Sequence, residues 1–217
     1  MAQQILIIGL GQFGMSLART LSEKGAEVLA VDSDKVLVDE AAEFVAEAVT
    51  LDATDETELG RLLPQQRDAV VCAIGDASKE ASIMCTALLR QMGVRRIIAR
   101  ANDRMHRRIL QLVGAHEIIN PEQEFGKRFA MRILYRHIVA DTSLGEDLQL
   151  TEIVPPPPMV GKTLIDLELP RRFGAIVAAL RRDGKVIRPD PADPLRADDK
   201  LLIVSSEEAI ARLGKEA

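Results

Sequence analysis

The sequence predicts an α/β protein, a doubly wound parallel sheet followed by a small α+β C-terminal domain. Three observations carry this reading. Short, wholly apolar runs alternate with amphipathic stretches over the first half of the chain: Ile5-Leu6-Ile7-Ile8, Val28-Leu29-Ala30-Val31 and Ala69-Val70-Val71-Cys72-Ala73-Ile74. The first run passes directly into Gly9-Leu10-Gly11-Gln12-Phe13-Gly14, and the second ends in Asp32. After Pro121 the pattern changes to short alternating segments broken by proline and Asp-Gly turns. Strands separated by helices pair in parallel. A strand covered on both faces is apolar throughout rather than alternating.

Taken in order, residues 4–8 are the first strand. A helix follows over 12–24, with Phe13, Leu17 and Leu21 on one face and Gly25 as its stop. Residues 27–32 form the second strand, 35–43 the second helix and 47–51 a short third strand. Thr54 or Asp55 caps the next helix. The fourth strand, 69–74, closes at Gly75-Asp76. A helix over 79–92 leads through Gly93 to a strand at 96–99, a helix near 103–113 ends at Gly114, and 117–119 is the last short strand of this half. Residues 122–139 are expected to be one long helix carrying Phe125, Phe129, Ile133 and Leu134 as a stripe that Met131, Tyr135 and Ile138 widen. So much apolar surface fits packing on its own domain or, alternatively, a dimer contact. Residues 140–147 are polar and expected to be a linker. Beyond them, 148–154 alternates like a strand, 155–158 is polyproline, and a short helix is expected at 163–169. A strand at 175–181 turns through Arg182-Asp183-Gly184-Lys185, a Pro-rich loop spans 189–194, and a strand at 201–204 precedes a helix at 207–213. The domains are thus expected at 1–121 and 148–217, with 122–147 a crossover helix and linker.

Composition narrows the function classes. The 217-residue chain is 47% apolar, with no Trp and one Tyr, so its cores are aliphatic. A net charge of −5 gives no reason to expect nucleic acid. The basic residues Arg104, Arg107, Arg108, Lys127, Arg128, Arg132 and Arg136 are read as solvated helix faces. No apolar run approaches the roughly 20 residues of a membrane span, and no signal peptide is evident. Two cysteines, Cys72 and Cys85, make neither a disulfide framework nor a metal knuckle, and Cys72 lies in a core strand. A cytoplasmic protein is the simplest account.

The glycine turn is the chemical signal. Gly9 permits the sharp bend, Gly11 lets a phosphate approach the backbone, and Gly14 lets the helix lie close to the strand. Amides at the helix start face an anion. Asp32, at the end of the second strand, is placed to accept ribose hydroxyls and suits NAD over NADP. A lone glycine motif is weak. Here it follows a strand, opens a helix and has its acid, which makes the unit Rossmann-like.

The whole chain resembles the regulatory subunits of Trk/Ktr potassium uptake systems, an RCK (KTN) nucleotide-binding domain followed by an RCK C-terminal domain. The resemblance rests on Gly9 to Gly14, Val31-Asp32-Ser33-Asp34, Asp52-Ala53-Thr54, Ala73-Ile74-Gly75 and Gly114 to Glu122 in the first half. In the second it rests on Gly161-Lys162-Thr163-Leu164, Asp166-Leu167, Phe173 to Val177, Arg181 to Gly184, Pro189-Asp190-Pro191 and Asp199 to Val204. It implies a homo-oligomeric ring of dimers, usually an octamer, docked on the cytoplasmic face of a separate membrane-embedded potassium-translocating subunit. The ring binds ATP, ADP or NAD(H), and its change of shape gates the pore. By position, Gly9, Gly11, Gln12, Phe13 and Gly14 would meet phosphates, Asp32 the ribose with Ser33 and Asp34 beside it, and Asp52, Ala53 and Thr54 the adenine. Ala73, Ile74 and Gly75 would line the phosphate side, and Arg100, just past a strand end, would meet a phosphate of its own or a neighbouring subunit. Glu122 matches a position that binds a divalent or monovalent cation in similar proteins. It also reads simply as helix N-terminal charge.

Two departures are visible. Some ATP-responsive members carry Arg where this chain has Gln12, and a neutral amide cannot offset a triphosphate, which leaves NAD(H) or AMP-type ligands open. Arg172 matches an arginine used for cyclic di-AMP in some relatives, but Ile176 stands where an asparagine is expected. The competing class is an NAD-dependent oxidoreductase. Catalysis would need a positioned acid or base. His106 and His137 read as exposed helix residues, and His116 lies in a turn. Met1 directly before the first strand is read as the start of a free subunit rather than a segment of a longer channel. Residues 122–147 are the expected hinge.

Overall fold

The computed structural model describes residues 2–75, 78–145 and 147–215. The chain divides into two compact units, 1–122 and 123–217.

The first unit is built on six strands: β1 (Gln4–Ile8), β2 (Glu27–Asp32), β3 (Glu47–Thr50), β4 (Ala69–Cys72), β5 (Ile97–Arg100) and β6 (Glu117–Ile119). They pair in parallel in the order β3-β2-β1-β4-β5-β6. The order reverses between β1 and β4, so a crevice opens at their C-terminal ends, where ligands of such sheets bind. Alternation along β1 explains its unbroken hydrophobicity. Leu6 and Ile8 enter one core with Leu29, Val31, Val70, Cys72, Ile97 and Leu110. Ile5 and Ile7 enter the opposite core with Val28, Ala30, Val71, Ala18 and Val38.

Five helices connect these strands: α1 (Gln12–Glu23), α2 (Lys35–Ala41), α3 (Glu56–Arg61), α4 (Lys79–Gln91) and α5 (Arg104–Val113). Their starts are capped by side chains where the sequence offers a short polar residue: Asp34 accepts from the Val36 amide, Asp55 from Thr57 and Glu58, Ser78 from Ala81, and Asp103 from His106. Asp55, not Thr54, is thus the α3 cap. Asp76, expected to close the fourth strand, lies outside the described residues.

α6 (Pro121–Leu134) begins in the first unit and continues into the second. It is shorter than the helix expected over 122–139. The second unit holds an antiparallel sheet in the order β10-β9-β11-β8-β7. Its strands are β7 (Ile138–Gly145), β8 (Leu148–Ile153), β9 (Ile176–Arg182), β10 (Lys185–Ile187) and β11 (Lys200–Ser205). The expected linker at 140–147 is therefore strand as far as Gly145, and Glu146 lies outside the described residues. β7 is an edge strand with mostly exposed side chains, so it lacks the apolar run that betrays a central strand. Ile138, expected on the helix, is instead a buried residue of β7.

α7 (Leu164–Leu167), α8 (Leu169–Phe173) and α9 (Glu207–Lys215) cover this sheet. Leu169, Phe173, Leu201, Ile203 and Ile210 fill its core, and Met131 and Tyr135 pack at the core's margin. The aromatic ring of Tyr135 packs against Gly214, where a Cβ would come within 2.8 Å of its Cδ1. The Asp183-Gly184 turn has both residues at positive φ (51° and 75°), as a two-residue hairpin requires. A buried ion pair ties the sheet to its loops. Arg182 donates from Nε and Nη2 to the two oxygens of Asp199, each at 2.7 Å, and also bonds Asp193 and the Pro194 carbonyl.

Candidate functional site

The three glycines of the turn play different parts. Gly9 has φ of +96°, and a Cβ there would lie 2.8 Å from the Ile74 amide nitrogen. A Cβ on Gly14 would lie 1.9 Å from the Gly9 carbonyl oxygen, so α1 rests on the turn at backbone contact distance. Gly11 is different. A Cβ there would meet nothing within 4 Å, and its φ of −59° is open to any residue. The first and third glycines serve the fold, while the second leaves space.

Asp32 locks this turn to β2. Its Oδ2 accepts from the Leu10 amide at 2.6 Å and its Oδ1 from the Asp34 amide at 2.9 Å. A charged acceptor makes both bonds stronger than neutral ones. The Gly9 amide donates to the Val31 carbonyl at 2.8 Å and completes the junction. Ser33 and Asp34 follow on the exposed loop, where the Asp34 carboxylate is committed to the Val36 amide.

Beyond β3, Asp52 accepts from both the amide and the hydroxyl of Thr54, at 2.9 and 2.7 Å. These bonds hold its carboxyl below the usual carboxylate range. The Asp52 amide donates to Glu58, and Ala53 is buried beneath. On the other side of the crevice, the Ala73 amide donates to the Ile8 carbonyl at 2.7 Å, which places Ala73, Ile74 and Gly75 beside the turn.

Arg100 ends β5, next to β4 and β6. Its guanidinium lies flush on Gly75, with Nη1 3.1 Å from where a Cβ would stand. Cζ lies 5.9 Å from the Phe13 ring centroid, the outer limit for a cation–π contact. Nη2 donates to Glu122 Oε1 at 2.5 Å. The first unit therefore brings together the Gly9–Gly14 turn, Asp32, Ala73–Gly75, Arg100 and Glu122 along one sheet edge, with Asp52–Thr54 at the end of the neighbouring β3.

Several features were not read from the sequence. Asn102, just past β5, has both side-chain polar atoms buried without a partner among the described residues. A polar residue directly after a strand's C-terminal end was the only available signal. His106 is buried in α5 rather than exposed, and His137 lies after α6 rather than within it. His116 accepts the Ile97 amide on Nδ1 at 3.0 Å. Cys72 and Cys85 are both buried as free thiols. Their mutual hydrogen bond draws the Cys72 thiol below its ordinary value and, with burial, raises that of Cys85. Among the described residues no cluster of three or more His, Cys, Asp or Glu is placed to hold a metal.

In the second unit, Arg172 lines a cavity of about 110 Å³ with Pro158, Met159, Lys162, Leu167, Phe173 and Leu213. That is well short of the ~300 Å³ at which pockets begin to enclose a drug-sized ligand. Ile176 is exposed on β9.

Comparison with known proteins decides the family. Residues 5–121 match the TrkA-N domain and residues 149–217 the TrkA-C domain. The chain belongs to the Trk/Ktr family of potassium uptake proteins. It is 35% identical over 216 residues to the Ktr system potassium uptake protein C of Bacillus subtilis, covering 99% of this chain and 97% of that one. It is 36% identical over 210 residues to the Ktr system potassium uptake protein A of Vibrio alginolyticus, covering 96% and 95%. Among solved structures, a GsuK channel bound to NAD superposes with a TM-score of 0.68 at 19% identity, covering 98% of this chain and 39% of that one. That likeness concerns fold alone. As a Ktr-type regulatory RCK protein the chain is not an enzyme, and the oxidoreductase alternative is set aside. Among the described residues no helix is long and apolar enough to cross a membrane.

Proposed function

We propose that this protein is the nucleotide-sensing, gating subunit of a potassium uptake system. An adenine nucleotide, ATP/ADP or NAD/NADH, binds across the C-terminal ends of β1, β2 and β4. Its phosphates lie over Gly9, Gly11, Gln12, Phe13 and Gly14, with Ala73, Ile74, Gly75 and Arg100 on the far side. The ribose meets Asp32 beside Ser33 and Asp34, and the adenine lies near Asp52, Ala53 and Thr54. Glu122 is the residue available to a cation accompanying the phosphates.

The observation that carries this reading is the open space over Gly11 in an otherwise close-packed turn, with the Asp32 carboxylate fixed beside it. The nucleotide-binding domain runs 1–121 and the C-terminal domain is centred on 148–217 with β7 as the edge strand of its sheet, so α6 is the part of the 122–147 segment where a change of shape is taken up. Copies assemble as dimers into a ring, with eight subunits the expected size, on the cytoplasmic face of a separate membrane-embedded subunit. The exposed Phe125, Phe129, Ile133 and Leu134 on α6 supply apolar surface for that assembly. Binding acts by population shift: the ligand must favour one ring shape over the other, or it changes nothing.

Calorimetric titration of the full chain with ATP, ADP, AMP, NAD, NADH and cyclic di-AMP tests the reading. Tight binding of one adenine nucleotide by a large assembly, abolished in Asp32→Ala, supports it. A monomer that binds none of them removes it. Binding of cyclic di-AMP that depends on Arg172 would add a second ligand in the second unit.

A further inference from the structure

The Arg100 guanidinium is under-used. Its side chain is only 13% exposed, yet its Nε is buried with no partner among the described residues, and its ion pair is a single Nη2–Oε1 bond to Glu122. Arginine–carboxylate pairs that hold structure are frequently bidentate, as Arg182 is with Asp199. The Glu122 side chain is 58% exposed, so the carboxylate gains little from burial and water reaches it easily. The same guanidinium rests on Gly75 and faces Phe13, the two walls of the proposed phosphate site. Glu122 is also the second residue of α6, the helix that continues into the second unit.

We propose that Glu122 is an exchangeable counter-ion for Arg100. The carboxylate holds the guanidinium until a ligand phosphate replaces it, and the exchange releases the first turn of α6. This rests on the nucleotide reading above and adds to it a competitor inside the site. A phosphate brings more oxygens and more charge to a planar five-donor group than Glu122, which engages it through one oxygen, so the exchange favours the ligand most when its phosphate is most highly charged. Glu122 thereby sets how strongly the site discriminates among ligands by charge.

The test is calorimetry on the full chain, in chelator-containing buffer free of divalent cations, with ATP, ADP and NAD. The variants are Glu122→Gln, Arg100→Gln, Arg100→Lys and the double variant Arg100→Gln/Glu122→Gln. Removing the competing charge in Glu122→Gln is expected to tighten ATP binding about 5-fold or more, and Arg100→Gln to weaken it about 10-fold or more, both within the range of local charge couplings. In the Arg100→Gln background, Glu122→Gln is expected to have no further effect. Arg100→Lys keeps the charge and should retain the sensitivity to Glu122→Gln. Hydrogen exchange of the amides at 123–126 should rise on ATP binding in the wild type, and without ATP in Glu122→Gln. Unchanged or weaker ATP binding in Glu122→Gln, or an undiminished effect in the double variant, overturns the exchange while leaving nucleotide binding intact. Failure of the wild type to bind any of the three ligands overturns both.

Discussion

Gly11 and Gly14 lie three residues apart in one motif, yet the structure predicts opposite consequences for replacing them with alanine. At Gly11 the backbone, φ −59° and ψ −178°, is open to alanine, and the new methyl meets no atom within 4 Å. Two small terms oppose each other. Restricting the unfolded chain stabilises by about 0.4–1 kcal/mol. Losing glycine at an N-cap costs about 0.5–1 kcal/mol. Stability should therefore change by less than about 0.5 kcal/mol, by the difference of those terms. The methyl occupies the space a phosphate needs, and nucleotide affinity should fall about tenfold or more, a loss of ~1.4 kcal/mol. At Gly14 the methyl would stand 1.9 Å from the Gly9 carbonyl oxygen, and backbone cannot swing away as a side chain can. Helix α1 would have to retreat by on the order of 1 Å, an overpacking cost of about 3 kcal/mol. That is a large part of a typical total of about 5–15 kcal/mol. Denaturant unfolding and calorimetry on both variants decide the matter. Wild-type affinity in Gly11→Ala would refute the assignment of that space to phosphate. Wild-type stability in Gly14→Ala would refute the close approach of α1 to the turn.

Three further predictions concern other parts of the chain. Asp32→Asn keeps the shape but replaces one of the two accepting oxygens by a donor NH2, so either the Leu10 or the Asp34 amide loses its acceptor. The change should cost about 1–2 kcal/mol in urea unfolding together with loss of nucleotide binding. An unchanged midpoint would show that the carboxylate does not hold the turn. In the second unit, Arg182 holds the Asp199 carboxyl below its ordinary value, helped by the Arg196 amide. A depressed folded-state pKa contributes stability that is complete above the unfolded value, near pH 4, and is lost as pH falls below it. Melting temperature should therefore drop on acidification below about pH 4. Arg182→Met, which strands a buried carboxylate, should cost about 3 kcal/mol at pH 7 and reduce that acid dependence, and an equally steep profile in the variant would disprove the coupling. On α6, Phe129→Asp places a charge beside the stacked, exposed Phe125. Light scattering should show a smaller assembly with circular dichroism unchanged, and an assembly of undiminished size would exclude this face from the contact.

The parallel sheet was legible because burial on both faces leaves strands with no polar alternation to confuse them. Helix ends were legible where Gly25, Gly93 and Gly114 adopt the positive φ that other residues avoid. β7 was not legible. It lies at the edge of its sheet, and its polar Thr142 and Ser143 are exposed on opposite faces while the backbone pairs with β8. Pairing information of that kind resides in the partner strand, not in the segment itself. At the site, the glycines and Asp32 could be read because each has a local job fixed by spacing. The sequence could name Arg100 and Glu122, but not join them. Their meeting depends on the β5–β6 register that sets Arg100 opposite Ile119, three residues before Glu122.

The packing of Tyr135 against Gly214 has a practical optical consequence. The chain has one Tyr and no Trp, so ultraviolet-excited emission comes essentially from a single ring in the second unit. The first unit, whose aromatics are Phe13 and Phe44, is dark at those wavelengths. Native fluorescence thus reports melting around α9 with little background. A tryptophan introduced into the first unit would give that half its own colour, so that the order in which the two halves unfold could be watched in one cuvette.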